Sequence, residues 1–292
     1  FALFACAFNL LLGFTGLLSF GHAAFFGFSA YVTGHLVKVL GTSPEVGLLA
    51  GLLTGAVLGA VFGYVAIRRQ GIYFAMITLA LAQMVFFICL QAPFTGGEDG
   101  LQAVPRGTLL GVLPLASDTT LYYVVAAVFL ACYLGIARIV HSPFGQVLKM
   151  IRENEARAIS LGYEVDRYKL LAFVLSAALA GLAGSLKTLV LGFATLSDVH
   201  WTASGQVVLM TLVGGMGTLS GPILGSALVI LLENKIGEIG GWFAKFTGVE
   251  WFASLGESVT IVTGFIFVVC VLAFRRGVMG ELIAWLERRK KG

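Results

Sequence analysis

From residue 46 to residue 67 the chain holds no charged side chain, and the same is true from 72 to 90. An α-helix rises about 1.5 Å per residue, so either run can cross the roughly 30 Å of hydrocarbon in a bilayer. Within lipid every backbone N–H and C=O must be satisfied inside the protein, which restricts spanning structures to helices and closed barrels. These runs show none of the alternation of a barrel strand and read as helices. Further apolar runs stand at 1–18, 23–40, 121–139, 170–191 and 261–274. The fold predicted is all-α, a polytopic transmembrane bundle with about nine membrane segments in this chain. Composition agrees: 58% of the 292 residues are hydrophobic and 12% charged, with a mean hydropathy of +0.94, where soluble domains carry about 25% charged residues. The 38 glycines against 6 prolines suit helices whose backbones must approach closely, because lipid supplies no hydrophobic force between them. In 170–191, Ala177, Gly181 and Gly184 offer such contacts.

Two departures from straight spans stand out. In 9–31 the polar Thr15, Ser19 and His22 interrupt the apolar sequence with too few residues for an ordinary loop, which predicts a tight bend at or within the membrane. The stretch 203–232 has thirty residues, too many for one span and too few for two, and is broken by GGMGTLSGP, so it too reads as a bent or re-entrant helix pair. Gly16-x-Leu18-Ser19-x-Gly21 before His22 echoes Gly217-x-Leu219-Ser220-Gly221 before Pro222. Each copy is followed by an outside segment and a span ending in a double arginine, VAIRR at 65–69 and LAFRR at 272–276. This is a parallel internal repeat, an arrangement that places a pathway where broken helices meet near the bilayer midplane. Thr15, Ser19, His22, Gln83, Gly217, Ser220, Gly221 and Pro222 are therefore the expected bend and pathway residues. Simpler roles compete: Ser19 and Ser220 as caps of the second helices, His22 as a hydrogen-bonded structural residue, Gln83 as a link between helices, Lys187 as a side chain snorkelling to the outer interface.

The longest polar island is SPFGQVLKMIRENEARAISLGYEVDRYK at 142–169. Ser142 can cap a helix, Pro143 suits its first position and Gly162 can close it. Val147, Met150, Ile151, Ala158 and Leu161 then share a face, so one amphipathic helix is predicted between two spans. Glu153 and Arg157 are spaced to pair along it, and Glu155 is expected in water, where its loss would cost a few tenths of a kcal/mol. Fourteen of the nineteen basic residues, including Arg68, Arg69, Arg138, Arg152 and Lys169, fall on one side of the predicted crossings, which makes that side cytoplasmic. Residues 93–120 form an outer loop with one short hairpin, 233–257 a second soluble stretch with Trp242 and Trp251 at the interface, and 278–292 a basic amphipathic tail on the cytoplasmic face. Because Phe1 stands inside an apolar run, an upstream segment is expected.

Several classes are set aside by what the chain lacks. It has no phosphate-binding G-x-x-x-x-G-K-[ST] loop, no His/Cys spacing for a metal, and no nucleophile elbow with partners. Cys6, Cys89, Cys132 and Cys270 sit in apolar runs and read as small buried hydrophobes. No cofactor, no catalytic residue and no nucleic-acid partner are expected; membrane lipid is. A secondary transporter needs an ion site such as an intramembrane carboxylate, and no Asp or Glu lies mid-span.

NLLLGFTGLLSFGHAAFFGFSAY at 9–31, RRQGIYFAMITLALAQM at 68–84, IRENEARAISLGYEVDRYKLLAFVLSAALAGLAGSL at 151–186 and GGMGTLSGPILGSAL at 214–228 together resemble the LivM-type permeases of branched-chain amino acid ABC transporters. The resemblance implies a single permease domain over 1–292 in a bacterial inner membrane. The partners it implies are a LivH-like permease, two cytoplasmic LivG/LivF-like ATPases and a periplasmic binding protein. Leucine, isoleucine and valine are then the expected solutes, with urea or another amino acid or amide as the alternative. ABC permeases dock an EAA-x3-G element on the ATPase. Residues 142–169 resemble it, with Arg157 at the third position and one extra residue before the glycine, so Arg152, Glu153, Glu155, Ala156, Arg157 and Gly162 are the implied coupling residues.

Overall fold

The computed structural model describes residues 1–109, 111, 113–247, 264, 268 and 277–281. Apart from residues 264 and 268, the span expected at 261–274 lies outside them, as do Trp251, Arg275, Arg276 and the tail beyond 281. The order of elements is α1 (Ala2–Thr15), α2 (His22–Lys38), α3 (Pro44–Ala66), α4 (Ile72–Gln91), β1 (Thr108–Leu109), β2 (Leu113–Pro114), α5 (Asp118–His141), α6 (Pro143–Glu153), α7 (Glu155–Ser160), α8 (Val165–Leu191), α9 (Leu196–Val199), α10 (Trp201–Gly214) and α11 (Gly221–Thr247). Among the described residues α3, α4, α5 and α8 are long and apolar enough to cross a membrane, and α1 is a shorter apolar helix. The protein is all-α and polytopic, and the described residues include a short antiparallel hairpin, β1 with β2, in the expected outer loop. Two compact units form, one of Phe1 and Leu3–Gln206, the other of Ala2 and Val207–Gly292.

The first unit is built on α2, α3 and α8. Along α3, Gly47, Gly51, Gly55, Gly59 and Gly63 recur every fourth residue and make one smooth stripe. Ala177, Gly181 and Ser185 of α8 press against it. A Cβ on Gly55 would lie 2.5 Å from Ala177 O, and one on Gly181 the same distance from Gly51 O. Thr33 of α2 joins the two, its Oγ1 lying 2.8 Å from Gly47 O and 2.7 Å from Ser185 Oγ. Dispersion between backbones, not expulsion of water, holds these helices together. The opposite face of α3 shows Leu49, Leu53, Val57 and Val61 to the surroundings, as a lipid-facing side should.

Three expectations change. The helix predicted from Ser142 to Gly162 begins as expected, with Ser142 Oγ accepting from Gly145 N at 3.3 Å, but it breaks at Asn154. There φ is −156° and ψ 97°, and the Asn154 side chain caps a new helix by accepting from Arg157 N at 3.0 Å. Asparagine competes with the helix for its own backbone, so this break is local chemistry. It also removes the register that would have brought Glu153 to Arg157. Second, α11 runs on to Thr247, past the end expected at 232 and through the first part of the soluble stretch expected at 233–257; no proline interrupts 223–247. Third, Lys187 does not snorkel. Its Nζ lies 2.6 Å from Asp198 Oδ2, with the two side chains 7% and 12% exposed, because α9 folds back over the end of α8 and brings the acid to it.

Candidate functional site

The polar island and the first helix break form one structure. The main-chain turn of Gly16 at φ +79° ends α1, its N–H reaching back to Leu12 O at 3.2 Å. Residues 16–21 then run without helical structure to His22, the first residue of α2. Arg152 of α6 donates through Nη1 to Gly13 O, in the last turn of α1, and the Lys149 ammonium stands 5.9 Å from the centre of the Phe14 ring. A cation bonded to the last carbonyls of a helix also meets the negative end of its dipole. The contact places the end of α1 on the same side as the polar island.

Farther along the break, the backbone is satisfied by hydroxyls. Phe20 N donates to Thr78 Oγ1 at 3.1 Å, Gly21 N to Ser19 Oγ at 3.1 Å, and Ala23 N to Ser204 Oγ at 2.8 Å. His22 is fully buried, and its Nε2 lies 2.8 Å from Ser176 Oγ on α8. Ser176 in turn donates to Ala7 O of α1 at 2.5 Å, so the hydroxyl accepts from an Nε2–H. His22 thus joins α1, α2 and α8, with the Phe8 and Phe25 rings edge-on at 4.9 and 5.5 Å. Thr15 spends its hydroxyl on Leu10 O at 3.3 Å. Beside the break is an apolar cavity of about 420 Å³, lined by Gly16, Leu18 and Phe20 and by Gly71, Phe74 and Met76 at the start of α4.

In the second unit the break between α10 and α11 carries Gly217 at φ +81°. The cap of α11 comes from Thr218: its Oγ1 accepts from Gly221 N at 3.0 Å and lies 2.8 Å from Gly215 O. Ser220 therefore does not provide the cap expected of it; the turn points the residue two places earlier at the free N–H. Gly221 and Pro222 are buried at the start of α11. Gln83 lies half-buried on α4 and makes no side-chain hydrogen bond to another described residue.

The six residues of the polar island divide. Arg152, Glu153, Ala156 and Arg157 are exposed, Arg152 while its guanidinium holds Gly13 O, and Gly162, at φ +87°, turns the chain after α7. Glu155 stands only partly in water, its side chain 26% exposed. Its Oε1 accepts from Lys169 Nζ at 2.7 Å and from Gln70 Nε2 at 2.9 Å, and the Lys169 side chain is 3% exposed. The break at Asn154 turns Glu155 inward, against the base of α8 and the link between α3 and α4. Glu155→Ala is therefore expected to cost toward the low end of the roughly 3–5 kcal/mol of a broken buried pair, well above the few tenths of an exposed charge. Thermal unfolding in detergent checks this; a variant as stable as the parent refutes it. Sequence reading also missed Ile159 and Leu161, which are 59% and 62% exposed although they belong to the charged polar island. The signal was there, two large apolar residues in a charged stretch, but a single helix would have buried Leu161.

Residues 1–274 match the family described as the branched-chain amino acid transport system permease component. The chain belongs to this family. It is 29% identical to the high-affinity branched-chain amino acid transport permease LivM of Escherichia coli K12, over 76% of this chain and 58% of that protein. It is 31% identical to the autoinducer 2 import permease LsrC of Klebsiella pneumoniae, over 59% and 49%, and 28% identical to the ribose import permease RbsC of Bacillus subtilis, over 67% and 58%. The chain thus spans less than two thirds of the length of these permeases. No solved structure matches it. Such relatives are permease subunits of ABC transporters, which are transport components.

Proposed function

We propose that this permease is the membrane subunit of a binding-protein-dependent ABC importer in a bacterial inner membrane, and that separate ATPase subunits dock on α6 and α7. Exposed Ile159 and Leu161 carry the docking reading: apolar side chains left open on a charged, extramembrane element mark a surface that a protein covers. Exposed Ala156 and Arg157 adjoin them. The expected partners are a LivH-like permease, two LivG/LivF-like ATPases and a periplasmic binding protein. Co-purification of the ATPase subunits should be lost in Ile159→Asp/Leu161→Asp while the permease still inserts; retention of the ATPases at parental stoichiometry sinks the reading.

Branched-chain amino acids are the favoured solutes, supported by the likeness to LivM over a larger share of this chain than to the sugar and autoinducer permeases. The likeness to RbsC and LsrC supports a hydroxylated solute as a second reading. Uptake of labelled leucine against labelled ribose in cells carrying the full system decides between them. The parallel repeat, and with it the arrangement of about nine segments, is supported by Gly16 and Gly217, which stand at φ +79° and +81° in matching Gly-x-Leu-Ser sequences. For the orientation, cysteines at Gly71 and Ala156 should react with an impermeant thiol reagent from the cytoplasmic side and one at Gly97 from outside. Labelling of Ala156→Cys in intact cells would reverse the orientation.

A further inference from the structure

Two residues of the docking segment face their own chain, and that fact separates contact with a partner from transmission of its movement. We propose that Arg152 and Glu155 are positioning residues that carry displacement of α6 and α7 into the broken α1–α2 pair, by two struts that end at the same junction. The proposal rests on the docking reading above.

The first strut is direct. Arg152 holds Gly13 O, its aliphatic chain packs beside Gly16, where an added Cβ would meet Arg152 Cγ at 3.1 Å, and Lys149 covers Phe14. All three contacts fall on the last turn of α1 and the glycine that ends it. A left-handed glycine followed by a non-helical stretch is where a backbone can change direction with least resistance. The grip therefore sits on the element best able to move.

The second strut passes through α8. Glu155 takes the buried ammonium of Lys169 at the cytoplasmic end of that helix. Ser176 lies seven residues, two helical turns, farther on and so on the same face. It is Ser176 that bonds to both His22 Nε2 and Ala7 O. A displacement of α7 thus reaches α1 through Gly13 and reaches α1 and α2 again through Lys169, the rigid α8 and Ser176. Gln70 adds a tie to the α3–α4 link, whose neighbour Gly71 lines the cavity beside the break. Neither Arg152 nor Glu155 needs an external partner for its charge, whereas Ile159 and Leu161 do need a cover.

The test uses the complete transporter, permease and ATPases together, in proteoliposomes, with a cysteine at Leu18 on the cavity wall as reporter. In the parent, the rate of labelling of Leu18→Cys by a thiol reagent should change when ATP with vanadate is added. Arg152→Met and Glu155→Gln should keep the ATPases at parental stoichiometry and basal ATP hydrolysis near the parental rate. They should lower both the nucleotide-dependent labelling change and solute transport about tenfold, within the range of ordinary coupling energies. Arg152→Lys, which can still donate to Gly13 O, and the exchange Glu155→Lys/Lys169→Glu should recover much of each, which a merely destabilised protein would not do. Loss of the ATPases in Arg152→Met or Glu155→Gln overturns the proposal and makes these residues partner contacts; parental labelling and transport in both variants also overturns it. Retention of the ATPases by Ile159→Asp/Leu161→Asp instead overturns the docking reading, and the transmission role falls with it.

Discussion

Asp198→Asn is expected to remove about 3–5 kcal/mol of stability, the cost of leaving one member of a buried ion pair without its partner. Lys187 Nζ stands 2.6 Å from Asp198 Oδ2, both side chains are close to fully buried, and the Phe193 ring faces the ammonium with its centroid 4.3 Å away. A ring face returns far less than a carboxylate. The reverse change, Lys187→Met, should cost less, because Asp198 Oδ2 keeps two donors from Thr195, its N at 3.0 Å and its Oγ1 at 3.1 Å. The double variant Lys187→Met/Asp198→Asn should regain most of the loss, since no unpaired charge remains and asparagine can still accept from Thr195. Thermal unfolding of the purified permease in detergent, followed by the fraction staying monodisperse, ranks the three. An order in which the double variant is the worst would show that the charges stabilise by direct attraction and not by cancelling one another's burial.

A second large effect is expected at the crossing of α3 and α8. At Gly55 a Cβ would meet Ala177 O at 2.5 Å and Gly181 Cα at 3.1 Å, and at Gly181 it would meet Gly51 O at 2.5 Å. The obstructing atoms are backbone and cannot change rotamer, so the helices must separate. Overpacking costs about 1–3 kcal/mol where side chains can yield and more where they cannot. Gly55→Leu and Gly181→Leu should therefore fail to accumulate as folded protein. Leu53→Ala on the same helix is the control: Leu53 is 60% exposed on the opposite face, and lipid replaces it. Parental yield and monodispersity of Gly181→Leu would mean that the two backbones are not in contact in the membrane.

The site was legible in part, and its illegible part has one cause. Ser142, Pro143 and Gly162 framed the polar island because capping and turn preferences are local. The direction in which Glu155 points was only half local: Asn154 broke the helix through its own neighbours, but Lys169 drew the carboxylate inward from fourteen residues away. His22 was placed at a helix break from its neighbours, but Ser176, Ser204 and Thr78, which complete the junction, are ordinary small polar residues in apolar runs, and nothing in their spacing marks them. The glycine stripe of α3 was in plain view as a fourfold period, yet its meaning needed the facing stripe on α8.

By itself the sequence determined that the chain belongs in a membrane and where its long apolar helices run. These follow from the cost of burying backbone and charge in hydrocarbon, which each segment meets alone. Tertiary structure alone decided which charges are paired and which hydroxyls from distant helices meet the backbone around the break between α1 and α2. Each of those depends on contacts between residues as much as 181 positions apart, and side chains on separate helices acquire a common address only when the helices pack.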